Sequence, residues 1–291
     1  MSLGQYKPIV KWAGGKSKVV KQLSQYLPLE FNNYHEPFVG SGALFFYLFP
    51  ALKSRNAKAF LSDLVEELIN LYKVVRDNVS MLINISKKHI YNEDYYYTIR
   101  QTDPSKLSDI ERASRILYLN KTCFNGLYRV NSKGQFNVSF GCYENPRIVD
   151  EEALRNASIA FKCAELMAGD FQLVLDNARP GDFVYLDPPY VPLSATANFT
   201  GYTRGSFGKK EHERLREVFH ELAARGCYIM LSNSNTDFVR KLYSGCNIKT
   251  ISAARAINSD PTKRGKIKEL VILSYPDECC SCYAEQNTTV L

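Results

Sequence analysis

N-Y-H-E-P-F-V-G-S-G-A-L-F-F-Y-L-F, residues 33–49, decides how the rest of the chain is read. A short extended segment, Asn33 to Phe38, runs into Gly40-Ser41-Gly42, and an apolar helix follows from Ala43 to Phe49. Glycines at such a junction let the backbone turn sharply and let a ligand approach the helix N-terminus. Further on, Ala59 to Ser62 reads as a second strand ending at Asp63, with a helix behind it. Strand, glycine loop, helix, strand is the repeating unit of an α/β doubly wound sheet. Asp63 stands roughly 20 residues beyond Gly42, the offset at which an acidic side chain meets a ribose in nucleotide-binding folds. Phe45 occupies the third position of the G-x-G-x-x-G pattern. An adenosine-bearing cofactor without a pyrophosphate is therefore favoured over a dinucleotide. A tight turn remains the other reading of a lone G-x-G.

Upstream, Lys16 to Leu27 places Val19, Val20, Leu23, Tyr26 and Leu27 on one helical face, closed by Pro28. Gly15-Lys16-Ser17 imitates a phosphate-binding loop, but Val10 stands where that loop needs its first glycine. A lysine at a helix start can instead hold a cofactor carboxylate. Trp12, the only tryptophan, reads equally as a core anchor.

The strand–helix rhythm pauses between about 75 and 155 and resumes near 165. The interruption reads as a mostly helical insert with a polar loop over 125–147. Ser108-x-x-Glu111 is a capping-box signature for a helix from Asp109 to about Cys123. Residues 112–143 contain no Asp or Glu. They interleave Arg112, Arg115, Lys121, Arg129 and Lys133 with Phe124, Tyr128, Phe136, Phe140 and Tyr143, and with Asn120, Asn125, Asn131 and Asn137. Arg and Asn read guanine and adenine edges in the major groove, and cations hold phosphates. An ordinary basic face is the alternative.

After the insert, Asp182 to Leu186 forms a short apolar strand that ends in Asp187-Pro188-Pro189-Tyr190. Neither proline has an N–H to donate, so the chain must leave the sheet at the carboxyl end of the strand. Open α/β sheets place their chemistry there. An aromatic amine is a poor nucleophile because its lone pair is delocalised into the ring. The Asp187 carboxylate and the Pro188 carbonyl, each accepting one N–H, would favour a pyramidal nitrogen. Tyr190 can stack on the base. A proline-terminated strand with a solvated Asp is the competing reading of the tetrapeptide by itself. Residues 191–202 are small, polar and short of charge. They read as a loop that closes over a base or holds its phosphates through Ser194, Thr196, Asn198 and Thr200, or as a connector. Leu215, Val218, Phe219 and Leu222 form a helical stripe. Cys227 to Leu231 is a further strand, and 247–251 with 269–275 a closing pair.

The bulk properties narrow the class. The chain has 291 residues, 45% of them hydrophobic, and a net charge of +7. That is ample for a core and compatible with a polyanionic partner. No apolar run approaches the roughly 20 residues of a membrane span. Eight cysteines without a visible leader suggest free thiols in a reducing, cytoplasmic setting. Cys279 and Cys282 have C-x-x-C spacing, but no second pair accompanies them, so no metal is expected.

K-W-A-G-G-K at 11–16, E-P-F-V-G-S-G at 36–42, F-N-G-L-Y-R at 124–129 and D-P-P-Y at 187–190 together resemble the Dam-type (alpha-group, D12 class) DNA adenine-N6 methyltransferases. That group includes enzymes of GATC-specific restriction-modification systems. P-L-S-A-T-A-N-F-T at 192–200 is similar to the family's loop after its catalytic tetrapeptide. The resemblance implies a Rossmann-like methyltransferase sheet, 1–74 with 156–275, split by a target-recognition insert, 75–155; the polar tail 276–291 has no counterpart in it and reads from its composition as disordered. It implies S-adenosylmethionine as cofactor, with Trp12, Lys16, Asp63 and Asp187 contacting it and Phe38, Gly40 and Gly42 lining its pocket. Asp170 and Phe171 look like contacts on the cofactor's adenine side. Asp187, Pro188, Pro189 and Tyr190 would be the catalytic set. By the resemblance Lys11, Asn125, Leu127 and Arg129 would face double-stranded DNA; by residue type Asn137, Tyr143, Ser194, Thr196 and Asn198 join them. The family's P-F-G-R-Y reads Ser139-Phe140-Gly141-Cys142-Tyr143 here, so an Arg contact to DNA is missing at Cys142.

The expected reaction is direct methyl transfer to adenine N6 within GATC, with the base flipped out of the duplex. The expected enzyme is a monomer, working beside a restriction endonuclease of the same specificity without stable contact. A cytosine-N4 or RNA methyltransferase and a catalytically silent DNA-binding homologue are the competing readings.

Overall fold

In the computed structural model, residues 5–192, 207–254 and 266–279 are described. In chain order the elements are α1 (Val20–Leu23), β1 (Tyr34–Glu36), α2 (Ala43–Ser54), β2 (Ala59–Asp63), α3 (Glu66–Ser86), α4 (Glu93–Gln101), α5 (Asp109–Thr122) and α6 (Glu151–Phe161). They continue with β3 (Ala164–Ala168), α7 (Val174–Asn177), β4 (Phe183–Leu186), α8 (Lys209–Ala224), β5 (Tyr228–Ser234), α9 (Asp237–Leu242), β6 (Asn247–Ala254) and β7 (Lys266–Leu273). Strands and helices alternate at both ends of this order, as an α/β architecture requires.

The described residues form two compact units. One holds residues 5–15 and 39–170. Its strands β2 and β3 pair in parallel, Ala59 opposite Ala164 through Asp63 opposite Ala168. Helix α3 packs along α5 and α6. The α5 start is the capping box read from the sequence. Glu111 N–H donates to Ser108 Oγ, and Ser108 N–H donates to Glu111 Oε2 at 2.9 Å. Asn92 and Asp150 cap α4 and α6 in the same manner, each accepting from a backbone N–H in the first turn. Helix α2 opens directly from Gly42, whose φ of 67° lies in the left-handed region that glycine adopts without strain. The stretch 125–147, read as a polar loop, forms a short hairpin: Val130 bridges Phe136 antiparallel within it, and Cys123, just before it, bridges Phe140.

The other unit holds residues 16–38, 171–192, 207–254 and 266–279. Its strands lie in the order β1, β4, β5, β7, β6. β1, β4 and β5 are parallel, while β7 runs antiparallel to both β5 and β6. Every residue of Phe183–Leu186 is fully buried. A parallel strand covered on both faces reads as a continuous apolar run, and each such side chain contributes about 1.5–3 kcal/mol. Behind β4 and β5 the α8 stripe Leu215, Val218, Phe219 and Leu222 completes the core, as its helical spacing predicts.

One expectation changes. Lys16 to Leu27 is not a single helix but a 3-10 turn (Lys16–Lys18), the four-residue α1 and a second 3-10 turn (Ser24–Tyr26). Val19 N–H donates to the Lys16 carbonyl, three residues back, and Ser24 Oγ donates to the Lys21 carbonyl. The i to i+3 bonding at both ends replaces the continuous i to i+4 ladder that a single helix would have. Val19, Val20, Leu23 and Leu27 are still buried, and Lys16 is buried with them, whereas Tyr26 is half-buried. At the other end Asp277 accepts from Asn247 and Lys249 of β6. Residues 280–291, with Cys280 and Cys282, lie outside the described residues.

Candidate active site

In the second unit the Pro188-Pro189 turn leaves the sheet at the carboxyl end of β4, and Asp187 stays at the strand terminus. The Lys16 ammonium, delivered by the first 3-10 turn, lies 2.8 Å from Asp187 Oδ1, with the two side chains 7% and 16% exposed. The same ammonium sits 4.5 Å from the centre of the Tyr190 ring. Burial pushes the Asp187 carboxyl up to about 6, against the opposing pull of Lys16. Glu269, on β7, pushes it further in the upward direction. Tyr190 donates its hydroxyl to Glu269 Oε2 at 3.0 Å. Burial, then the Asp187 and Glu269 charges, hold that phenol protonated far above its ordinary range.

The chain after Tyr190 is gripped from β5. Val191 N–H donates to Asn233 Oδ1 at 3.2 Å, and Ser234 Oγ donates to the Val191 carbonyl at 2.7 Å. Beneath the site, the Tyr185 and Ser232 hydroxyls bond each other at 2.9 Å, and Tyr34 donates to Glu36 Oε2. Beside it Phe38 stacks on Phe171, centroids 5.4 Å apart, and the Arg214 guanidinium covers the Phe171 ring. Asn233, Ser234 and Glu269 escape the sequence reading. The polar run Ser232-Asn233-Ser234 ending an otherwise apolar strand is the signal that marks the first two.

In the first unit the glycine turn is folded onto Asp63. Gly40 N–H donates to Asp63 Oδ2, and Val65 N–H to Asp63 Oδ1, both at 3.0 Å. Burial raises the Asp63 carboxyl, and the backbone donors partly oppose the rise. A Cβ at Gly40 would stand 2.9 Å from the Trp12 ring, and φ there is 45°. Glycine thus lets the indole close on the turn. Trp12 also stacks on Tyr128 at 5.2 Å. The fit to an adenosine-bearing cofactor is good. An aromatic wall, a backbone turn stripped of side chain and a carboxylate with lone pairs left for hydroxyls lie together. Asp170 follows β3 and is half-buried.

The same unit carries the hairpin. Arg129 donates to Asn137 Oδ1 at 2.8 Å and to the Asn137 carbonyl at 3.1 Å. The Lys11 ammonium lies 4.5 Å above the Tyr143 ring. Asn125 is exposed in a left-handed conformation, and Leu127 follows it half-buried. Asn120, only 2% exposed, accepts from Lys11 N–H and donates to the carbonyls of Lys11 and Gly126. By sequence it is one of a series of asparagines with nothing to single it out. Cys142 is exposed. Ser194, Thr196 and Asn198 lie outside the described residues. Among the described residues no helix is long and apolar enough to cross a membrane.

A carboxylate closing a parallel strand with an aromatic ring beside it in one unit, and a glycine turn bound to a second carboxylate in the other, are what an α/β enzyme of the nucleotide-cofactor kind contains. The chain belongs to the D12 class N6 adenine-specific DNA methyltransferases, whose family profile matches residues 12–257. Type II methyltransferase M1.LlaDCHI of Lactococcus lactis subsp. cremoris is 41% identical over 277 residues, 92% of this chain and 95% of its own. Type II methyltransferase M.MjaIII of Methanocaldococcus jannaschii is 41% identical over 290 residues, 93% of this chain and all of its own. DNA adenine methylase of Haemophilus influenzae is 35% identical over 275 residues, 92% of this chain and 94% of its own. The chain is an adenine-specific DNA methyltransferase.

Proposed function

We propose that the enzyme moves the methyl group of S-adenosylmethionine to adenine N6 in double-stranded GATC, on a base flipped out of the helix, with Asp187-Pro188-Pro189-Tyr190 as the amine site. The observation that carries this reading is the Asp187 carboxylate at the β4 terminus, ion-paired to Lys16 with the Tyr190 ring beside them. Bound S-adenosylmethionine would supply an electrophilic methyl group: the N6–CH3 bond forms as the S–CH3 bond breaks, S-adenosylhomocysteine is left, and the proton lost from N6 leaves by way of the Asp187 carboxylate to solvent. Asp187 and the Pro188 carbonyl accept the two N6–H bonds and turn the nitrogen lone pair outward. Tyr190 stacks on the flipped base, whose N6 is otherwise engaged in pairing and stacking. The proposed cofactor residues are Trp12, Lys16, Phe38, Gly40, Gly42, Asp63, Asp170, Phe171 and Asp187. The proposed DNA residues are Lys11, Asn125, Leu127, Arg129, Asn137, Tyr143, Ser194, Thr196 and Asn198.

The Arg129–Asn137 pair, pre-set in the hairpin, supports guanine reading by the Arg129 fork. The two relatives named Type II methyltransferases support a protective role beside a nuclease cutting the same site. The test is transfer of labelled methyl to duplexes with and without GATC by the wild type and Asp187→Ala. Transfer confined to adenine of GATC, and lost by at least about 10³-fold in the variant, is expected. Near-normal turnover of Asp187→Ala overturns the assignment of the amine site, and methylation spread over other sequences overturns GATC.

A further inference from the structure

We infer that Glu269 is a positioning residue of the amine site, holding the Tyr190 ring through its hydroxyl and placing a second negative charge beside the Asp187–Lys16 pair. The inference rests on the reading of Asp187 to Tyr190 as the amine site and adds a residue which that reading does not contain.

Glu269 sits in K-I-K-E-L-V-I-L, next to Leu270–Leu273, all essentially fully buried. A carboxylate half-sunk at the end of such a strand costs solvation that an apolar residue would not. Its position follows from the ladder, which sets Glu269 opposite Ser234 of β5 and Ile251 of β6. Ser234 and its neighbour Asn233 hold Val191 from both sides of the peptide, while Glu269 holds Tyr190. The carboxyl end of β5 and the antiparallel start of β7 thus grip two consecutive residues at three points. This grip has a physical reason. Pro188 and Pro189 have no N–H, so no ladder bond can orient the turn. Its aim must come from contacts after it, and the Tyr190 ring is the group whose tilt matters for stacking.

The charge is the second function. Asp187 faces Lys16 from the 3-10 turn, Glu269 from β7, and Tyr190 from its own turn. Tyr185 on β4 and Tyr34 on β1 couple to it as well, and both also couple to Glu36. In this set Lys16 favours the carboxylate, whereas Glu269 opposes it. Removing the Glu269 charge while keeping a hydrogen-bond acceptor makes Asp187 easier to ionise, so activity persists to lower pH.

The test is single-turnover transfer of labelled methyl from saturating S-adenosylmethionine to a GATC duplex, from acid to alkaline pH, with duplex affinity and melting temperature in parallel. The variants are Glu269→Gln, Glu269→Ala, Tyr190→Phe, Tyr190→Phe with Glu269→Ala, and Asp187→Ala. Glu269→Gln is expected within about threefold of wild type at high pH, with its acid limb moved to lower pH. Glu269→Ala is expected to lose about tenfold at all pH values while duplex affinity stays within about threefold. The double variant is expected to be no slower than the slower single one, since both remove one contact. An unmoved limb in Glu269→Gln, a wild-type rate in Glu269→Ala, or losses that multiply in the double variant each overturn the role of Glu269. Near-normal turnover of Asp187→Ala instead overturns the underlying amine site. If Glu269→Ala fails to fold, the Glu269→Gln limb still decides.

Discussion

Lys16 Nζ and Asp187 Oδ1 form a 2.8 Å ion pair in which both side chains are largely removed from water. In the proposed mechanism Asp187 is the stronger acceptor when ionised; burial works against its ionisation, and Lys16 offsets the burial. A half-dry carboxylate is a stronger acceptor than a solvated one, provided a cation keeps it charged.

The pH dependence follows directly. With Asp187 raised to about 6, single-turnover transfer is expected to fall as the pH drops through that value and to be flat above about pH 8. The sign is that of a raised carboxyl, whose protonated form holds on until near neutrality. Rapid-quench rates across the pH range check it. A rate unchanged down to pH 4.5, near the ordinary carboxylate range of about 4, excludes Asp187 as the ionising group.

Lys16→Met removes the offsetting cation. The acid limb should move to higher pH, and the rate near pH 6 should drop about tenfold or more, with partial recovery in alkaline solution. Measurement under saturating cofactor separates this from weakened cofactor binding. A wild-type pH profile at saturating cofactor, with loss seen only at limiting cofactor, would assign Lys16 to binding alone.

Trp12 is the single tryptophan and lies against the Gly40 turn, so in the proposed pocket its fluorescence is expected to report cofactor binding. Gly40→Ala puts a methyl 2.9 Å from the ring at a φ of 45°. It should cost about 1–2 kcal/mol of stability and weaken cofactor affinity about tenfold or more. Titration of S-adenosylmethionine into wild type and variant measures both the quench and its loss. A fluorescence signal indifferent to cofactor would remove Trp12 from the pocket.

Arg129→Ala should relax specificity at one base pair by about 1–3 kcal/mol, while Asn137→Ala, which removes the Oδ1 acceptor but keeps the backbone carbonyl acceptor, should relax it less. Methylation of a randomised duplex pool, read by sequencing of N6-methyladenine, ranks the two. Equal and unchanged target profiles would take the pair out of the reading set.

Asp182 is a stability residue away from the site. It accepts from Asn33 N–H, Asn33 Nδ2, Arg179 N–H and His35, in a position 1% exposed. Burial raises its carboxyl, but these donors outweigh burial and leave it below the ordinary range. A depressed carboxyl contributes stability above the unfolded value of about 3.9, lost as pH falls through the folded one. Asp182→Ala should cost about 3 kcal/mol, and the gap to wild type should narrow in acid. Urea midpoints at pH 7 and below pH 4 test this, and a gap that widens in acid would contradict it.

Much of the fold was legible because its signals are local. The apolar run Phe183–Leu186, the Ser108/Glu111 box and the glycine turn at Gly40-Ser41-Gly42 each act within a few residues, and the structure has each in place. The broken helix after Lys16 was not legible, because two 3-10 turns and a four-residue helix leave almost the same buried stripe as one helix. The tetrapeptide and the acidic Asp63 stood out by residue type and spacing. Residues that only support them did not. Glu269 belongs to an antiparallel strand whose register alone brings it to Tyr190, and Asn120 reaches Lys11 and Gly126 by packing.

The sequence by itself thus determined which groups are candidates for the chemistry, since a carboxylate before two prolines, an aromatic after them and glycines before a helix are legible from residue type and spacing alone. Only the tertiary structure decided which charges surround Asp187. Lys16 and Glu269 lie far from it along the chain, and electrostatic energy depends on distance through space and on the exclusion of water, neither of which a residue order contains.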